Sequence, residues 1–316
     1  MAAPAVSVVI PSFNSSAWIA ETLASVQAQT MPHFEVLVVD DGSTDGTPDL
    51  VRACASQDRR VRLIEQKNAG VCRARNHGIA QAQAPLVCFL DHDDWWYPHK
   101  LQRQCQVMAQ HPEAGVACSS WIVWNRSDAG ARYPSPTSFP IENTPDDLVP
   151  EFSGWVHHQF LLDCWMLTST AMFRREVFEK AGTFDESLPF SEDWDLWLRA
   201  AREFQFVQLR RPTTLYRMHG TQGSGHHRPV DHRTQLLERT AAQHGLASRD
   251  GRAVTRQQFH HQLARYHADF GRGELQAGRL AAAAAAYRRA WTLHPLRWKY
   301  PVYLLALLAG WRGRAL

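Results

Sequence analysis

The sequence predicts an α/β fold, a mostly parallel sheet flanked by helices, followed by an all-α C-terminal extension. Three observations carry this. Short apolar runs alternate with helical stretches as far as Asp94, two of those runs end in clusters of acids, and after His232 the composition shifts to Ala, Arg, Gln and Leu with no strand pattern left. The boundary is expected near Gly225, giving a sheet domain over residues 1–225 and a helical extension over residues 226–316.

The expected strands are Val6 to Ile10, Glu35 to Val39, Val61 to Ile64 and Leu86 to Leu90, each rich in Val, Ile, Leu or Phe as strands buried on both faces are. Helices are expected at Trp18 to Ala28, Pro48 to Ala55 and Val71 to Gln81, with Thr47 as the N-cap of the second and Pro48 at its first position. A further strand is read at Val116 to Val123, then a polar, Pro-rich loop from Tyr133 to Pro150 long enough to serve as a substrate-facing lid. A later helix opens at Ser191, its expected N-cap. In the tail, Phe270-Gly271, Ala283, Tyr287, Ala290 and Pro295 have the offsets of one tetratricopeptide-type hairpin; a plain Ala-rich helical pair explains them equally.

The 316 residues, 45% hydrophobic and 21% charged, suffice for a sizeable core. A net charge of +3 with scattered Lys and Arg lacks the basic stripe of a nucleic-acid binder. The six cysteines show no CxxC spacing and read as reduced core residues. The first ten residues have no basic n-region or long apolar run, so a cytoplasmic protein is expected. Pro301 to Trp311 is apolar but short of the ~20 residues a spanning helix needs. With Trp298 and Lys299 before it and Arg312 and Arg314 after, the segment 298–314 has the flanks of an interfacial helix, so peripheral contact with a membrane stands beside simple packing on the Ala-rich pair.

Three acidic segments carry the chemistry. Asp40-Asp41-Gly42-Ser43-Thr44-Asp45 follows a strand, where α/β sheets bind ligands and a carboxylate can accept hydrogen bonds from a base or ribose. An Asp-Gly turn is the plainer reading. Asp91-His92-Asp93-Asp94 ends another strand. Three carboxylates this close repel unless a cation joins them, and Mg²⁺ or Mn²⁺ held by such acids is normally shared with substrate phosphates. Ser191-Glu192-Asp193-Trp194-Asp195 fills the first turn of a helix, either complementing its dipole or supplying a general base. The adjacent pairs His157-His158, His226-His227 and His260-His261 suit no metal and read as surface or structural residues, while Trp155 and Trp165 are core packing or a sugar-stacking platform.

Val6-Ser7-Val8-Val9-Ile10-Pro11-Ser12-Phe13-Asn14, the DDGSTDGT segment, Ala74-Arg75-Asn76-His77-Gly78, LDHDD and SEDWDLWLRA occur in this order, and together they resemble glycosyltransferase family 2 over about Val6 to Gly220. The resemblance implies the Rossmann-like GT-A fold and an inverting, metal-dependent transfer from a nucleotide diphosphate sugar, UDP-sugar first, to a hydroxyl of a glycan, glycolipid or polysaccharide precursor. It implies that Pro11 and Phe13 line the base pocket and that Asp41 hydrogen-bonds the base. Asp93 would be the principal ligand of Mn²⁺ or Mg²⁺, with Asp91 facing the ribose or metal and His219 reaching the metal or diphosphate. Arg75 would lie on the donor side, and Asp193 of the Glu192-Asp193 pair would be the catalytic base. Partners are then the sugar nucleotide and a glycan or lipid-linked acceptor. A nicotinamide oxidoreductase fits poorly, since Pro11-Ser12-Phe13-Asn14 replaces the glycine-rich turn. A noncatalytic sugar-binding or scaffold protein on the same fold remains as the alternative.

Overall fold

A computed structural model describes residues 3–125, 133–136, 148–220, 222 and 228–308. The parallel half of the sheet comprises β1 (Val6–Ser12), β2 (Phe34–Asp40), β3 (Val61–Glu65) and β4 (Leu86–Phe89). All seven residues of both β1 and β2 are buried, which explains why they read as mainly apolar runs; the polar exceptions inside them, Ser7 and Glu35, are hydrogen-bonded to each other. The remaining strands are β5 (Trp95–Trp96), β6 (Ala114–Trp124), β7 (Met172–Arg174) and β8 (Gln205–Arg217), and the sheet order is β3-β2-β1-β4-β7-β6-β8-β5. β7 is antiparallel to both β4 and β6, β5 is antiparallel to β8, and β6 and β8 run parallel. The sheet is therefore mixed but mostly parallel.

Helices α1 (Ile19–Gln27), α2 (Thr47–Gln57), α3 (Val71–Gln81) and α4 (Lys100–Gln110) follow the early strands. α5 (His157–Phe160), α6 (Glu176–Lys180) and α7 (Glu192–Glu203) come after β6. One face of the sheet closes over Val6, Val8, Ile10, Val36 and Val38 with Leu23 and Leu101. Side chains of opposite parity, Phe89 and Phe173, meet Phe184, Phe178 and Trp197 in an aromatic stack, with Phe173 and Trp197 5.2 Å apart and nearly coplanar. Burying each such ring contributes on the order of 1.5–3 kcal/mol. α3 lies close on β1 because Gly78 has no side chain, and a Cβ there would come within 2.2 Å of Val9.

The helix starts differ from the expected caps. Gly46, not Thr47, is the N-cap of α2. The Thr47 hydroxyl instead donates to Asp45 and accepts from the Ser15 amide, which ties two loops together. Ser191 does precede α7, but in the left-handed conformation (φ 63) and without a side-chain cap bond. A non-glycine residue there costs roughly 1–2 kcal/mol.

The chain forms two compact units, Met1–Val156 with Cys164–His219, and His157–Asp163 with Gly220–Leu316. The second contains α8 (His232–His244), α9 (Arg256–Gln276), α10 (Leu280–Leu293) and α11 (Lys299–Leu308). Asp231 caps α8, and Thr255 with Gln258 forms a capping box on α9. α9 and α10 pack as a hairpin on Leu275, Ala283 and Tyr287, and Gly271 lets Ala286 approach closely. His157 and His158 are buried in this unit, where the Ser248 hydroxyl meets both the His158 amide and ring, so they are structural. Trp165, in the sheet unit, packs against Phe152 with 4.6 Å between ring centres. His226 and His227 lie outside the described residues, as do positions 137–147 of the expected lid. All six cysteines are free thiols. Among the described residues no helix is long and apolar enough to cross a membrane.

Candidate functional site

Two of the acidic segments lie at the carboxyl edge of the sheet because β2 and β4 run parallel to β1 and end together, and the third, at the start of α7, is joined to that edge through Arg75. Ser12 pairs with Asp40, and the chain leaving β4 continues alongside β1 through the Leu90 amide bond to Val9 and the His92 ring bond to the Pro11 carbonyl.

Asp41 is buried beyond β2, and its carboxylate accepts from the Ala69 and Gly70 amides and the Gln66 side chain, fixing the entry to α3. Gly42, at φ 78, turns the chain where a Cβ would lie 2.9 Å from the Asn68 nitrogen. Asn14 clamps this loop to the one after β1, since its side-chain oxygen accepts from the Thr44 amide and its own amide donates to Ser43. Between them Pro11 is buried and the Phe13 ring is exposed.

From the second turn of α3, Arg75 reaches into this edge. It is buried, with its face 5.1 Å from the centre of the Phe184 ring. One terminal nitrogen donates to Asp91 at 2.8 Å and the other to Glu192 at 2.9 Å. Burial works against its charge, but Asp91 and Glu192 outweigh that and raise its pKa above the usual arginine range. Its Nε is buried without a partner. Next to Glu192 on the same helical turn, Asp193 keeps a partly exposed edge while dense protein surrounds its carboxyl. Burial, then repulsion from Glu192, pushes its pKa up to about 7 against the opposing pull of Arg75.

A second group forms two residues further along the β4 loop, at Asp93. The His219 ring lies 2.8 Å from an Asp93 carboxylate oxygen and 5.1 Å from the Trp18 ring centre. Burial raises the Asp93 pKa, but the hydrogen bond from His219 and the charges of His92 and His219 win, holding it below the ordinary value. Asp94 faces inward, bonded to the Ser169 hydroxyl and the Arg217 amide. Burial, followed by the charges of Asp93 and Asp91, lifts its pKa well above the carboxylate range.

Arg217, the last residue of β8, organises this group. Its Nε donates to the Asp93 carbonyl and a terminal nitrogen to Glu21, while its guanidinium stacks 4.0 Å from the Trp124 ring centre and 4.9 Å from those of Trp18 and Tyr133. Two residues later the chain presents His219 to Asp93. Ser169, in the 3-10 turn Thr168–Thr170, accepts from the Asp91 amide and donates to Asp94, fixing the loop from its other side. Sequence reasoning missed Arg217, Ser169 and Trp18. Arg217 stands two residues before His219, which was singled out, whereas nothing local marks Ser169.

Asp91, Asp93, Arg75, Glu192, Asp193 and His219 thus share one edge, with Asp91 drawn to Arg75 and Asp93 to His219. Among the described residues no three His, Cys, Asp or Glu side chains converge as a ready metal cage. The ionised carboxylate suits Mg²⁺ or Mn²⁺ completed by phosphate oxygens, whereas the imidazole beside it is a ligand that the harder Mg²⁺ takes less readily than a transition-metal ion such as Mn²⁺.

A mostly parallel sheet whose carboxyl edge gathers acids, a buried guanidinium and an imidazole is the architecture of a GT-A glycosyltransferase. Residues 7–182, more than half of the chain, match the model of "Glycosyl transferase family 2", and the chain belongs to that family. A glycosyltransferase of Rickettsia felis with no characterised activity is 31% identical over 215 residues; the match covers 68% of this chain and 33% of the relative, so the chain spans about a third of that protein's length. Residues 1–349 of S. aureus TarS, solved with UDP-GlcNAc, superpose with a TM-score of 0.65 at 19% identity, covering 97% of this chain and 88% of that one. The mannosyltransferase PcManGT of Pyrobaculum calidifontis, solved with GDP-Man and Mn²⁺, gives 0.55 at 23% identity, covering 97% and 84%. These two share the fold.

The Arg217 contacts predict that Arg217→Lys lowers the unfolding free energy by roughly 1.5–3 kcal/mol, because an ammonium cannot reach Asp93 and Glu21 together while stacking on the rings. Glu21→Gln should cost much less, since that carboxylate is half exposed. Urea unfolding of the two variants checks the order.

Proposed function

We propose that this chain is an inverting, metal-dependent hexosyltransferase that moves a sugar from a UDP-sugar to a hydroxyl of a glycan, glycolipid or polysaccharide precursor. The observation that carries the reading is the Arg75 bridge between Asp91 and Glu192 with Asp193 beside it, which joins a fixed cation on the donor side to a carboxyl that titrates near neutrality. The reaction is assigned to the sheet domain, residues 1–225, with residues 226–316 as a helical extension.

Pro11 and the exposed Phe13 ring form the wall for the base, and Asp41, which retains lone pairs beyond its three donors, accepts from an imide N–H such as that of uracil. The sugar nucleotides bound by TarS and PcManGT support a nucleotide donor at this edge. Asp93 and His219, with Asp91 facing the ribose or the ion, would hold Mn²⁺ or Mg²⁺, which when bound neutralises developing charge on the leaving diphosphate. Arg75 adds a fixed positive charge on the same side.

Asp193 takes the proton from the acceptor hydroxyl, and that oxygen attacks the anomeric carbon on the face opposite the diphosphate. The C–O bond to phosphate breaks as the new glycosidic bond forms, so one displacement inverts the centre and needs no protein nucleophile. Glu192 holds Arg75 and keeps the Asp193 pKa high. A base must be ionised to act, so a pKa of about 7 places Asp193 where it is partly ionised at neutral pH.

A panel of sugar nucleotides assayed for nucleotide release tests the reading. Release should require Mn²⁺ or Mg²⁺, stop with chelator, and fall at least about a hundredfold in Asp93→Ala. No release from any donor with metal present, together with glycan binding, would return the chain to the noncatalytic alternative. The pH profile tests the base. kcat/KM should drop about tenfold per unit below pH ~7 as Asp193 takes up its proton. Asp193→Asn should bind UDP normally and lose that limb with the activity; wild-type turnover in this variant would rule out the assignment.

A further inference from the structure

Among the described residues, the last helix of the second compact unit buries one face and exposes the other. On α11 Tyr300 and Leu304 are buried, and Tyr303 packs its ring 5.2 Å from that of Tyr287 on α10. The opposite face is apolar and uncovered. Trp298 is 67% and Leu305 64% exposed, with Val302 exposed between them. Trp298, Val302 and Leu305 follow the i, i+4, i+7 spacing of one helical stripe, and Leu296, 89% exposed, leads into it. Scattered exposed hydrophobics are ordinary, but a contiguous stripe marks an interaction surface.

The charge around the stripe selects its partner. After Glu274 the chain has no acidic residue and carries seven of its 34 Lys and Arg residues, at 279, 288, 289, 297, 299, 312 and 314; Arg279 and Arg289 are paired with Glu274 and Glu238, and Arg297 and Lys299 are the two at the stripe itself. The preceding residues hold the other 27 against all 31 Asp and Glu, so the chain's net positive charge of +3 comes entirely from this tail. Arg297 and Lys299 flank Trp298, with the Lys299 ammonium 5.9 Å from the Trp298 ring centre. Two such faces would repel, which disfavours a second copy as the occupant.

We infer that the exposed stripe of α11, with its flanking basic residues, docks on an anionic phospholipid bilayer. The geometry is that of a helix lying in the interface plane, with Trp298, Val302 and Leu305 entering the acyl boundary and Arg297 and Lys299 reaching phosphate groups by extending their alkyl stems. Each basic residue near such a surface adds electrostatic attraction, and the apolar stripe makes the contact persist when salt is raised. Docking at the unit's terminal helix needs no residue of the sheet edge, so it stands independently of the donor chemistry.

Flotation of the full chain with vesicles tests this. At ~0.1 M salt the protein should float with vesicles of phosphatidylglycerol in phosphatidylcholine, and roughly tenfold less with phosphatidylcholine alone. Leu305→Glu should abolish flotation while leaving the melting curve unchanged, because the side chain is exposed. Arg297→Glu with Lys299→Glu should remove the preference for phosphatidylglycerol. Failure of the wild-type chain to float, or equal flotation of Leu305→Glu, would overturn the inference. A concentration-dependent dimer without vesicles that Leu305→Glu dissolves would also overturn it, in favour of a second copy.

Discussion

A buried guanidinium must be matched by carboxylates, and the site is organised around the imperfect match at Arg75. Its two terminal nitrogens are taken by Asp91 from the sheet and Glu192 from α7, joining elements far apart in sequence. Asp193 is a third carboxylate in the same low-dielectric neighbourhood, and one cation cannot neutralise three acids there. The surplus falls on the carboxyl without a guanidinium bond, which keeps its proton up to about pH 7. A basic group tuned to neutrality thus follows from packing and charge rather than from any single contact. Removing Glu192 would relax that tuning, and removing Arg75 would leave buried acids repelling one another.

A second guanidinium acts by a different route. Arg217 is enclosed by Trp18, Trp124 and Tyr133, so its position is set by aromatic faces before any acid engages it. From there it grips the backbone at Asp93 and delivers His219 to the Asp93 side chain, while its amide and Ser169 turn Asp94 inward. Of three consecutive sheet-edge acids, one therefore pairs with arginine, one with histidine and one is buried. The repulsion that the bare sequence poses is largely resolved by the fold itself, leaving Asp93 ionised beside an imidazole.

Much of the sheet could be read in the sequence, for a physical reason. Strands buried on both faces are mainly apolar, so Glu35 to Val39 and Leu86 to Leu90 announced themselves, and the acids directly behind these two had to lie on the carboxyl edge. The parts that stayed hidden depend on tertiary contact. The short strands Trp95–Trp96 and Met172–Arg174 exist only through their partners β8, β4 and β6. Ser169 has no local signal, and the aromatic box around Arg217 draws on three separate segments. The Thr47 cap failed because its hydroxyl is drawn to Asp45 and Ser15, whereas Ser191 does take the N-cap position of α7, in a left-handed conformation without a side-chain cap bond. Which segment travels with the helical unit was equally hidden, since His157–Asp163 joins it through contacts such as His158 with Ser248 and Tyr266 with Asp163.

The charge mismatch at Arg75 can be measured without substrate. Carbon NMR of protein labelled at the aspartate carboxyls, with Asp193→Asn identifying the signal by its loss, follows the ionisation of Asp193 directly. A midpoint near pH 7 that drops when Glu192 is changed to Gln is the expected result. A midpoint near 4, unchanged by that substitution, would contradict the assignment of Asp193 as a base tuned by its neighbours.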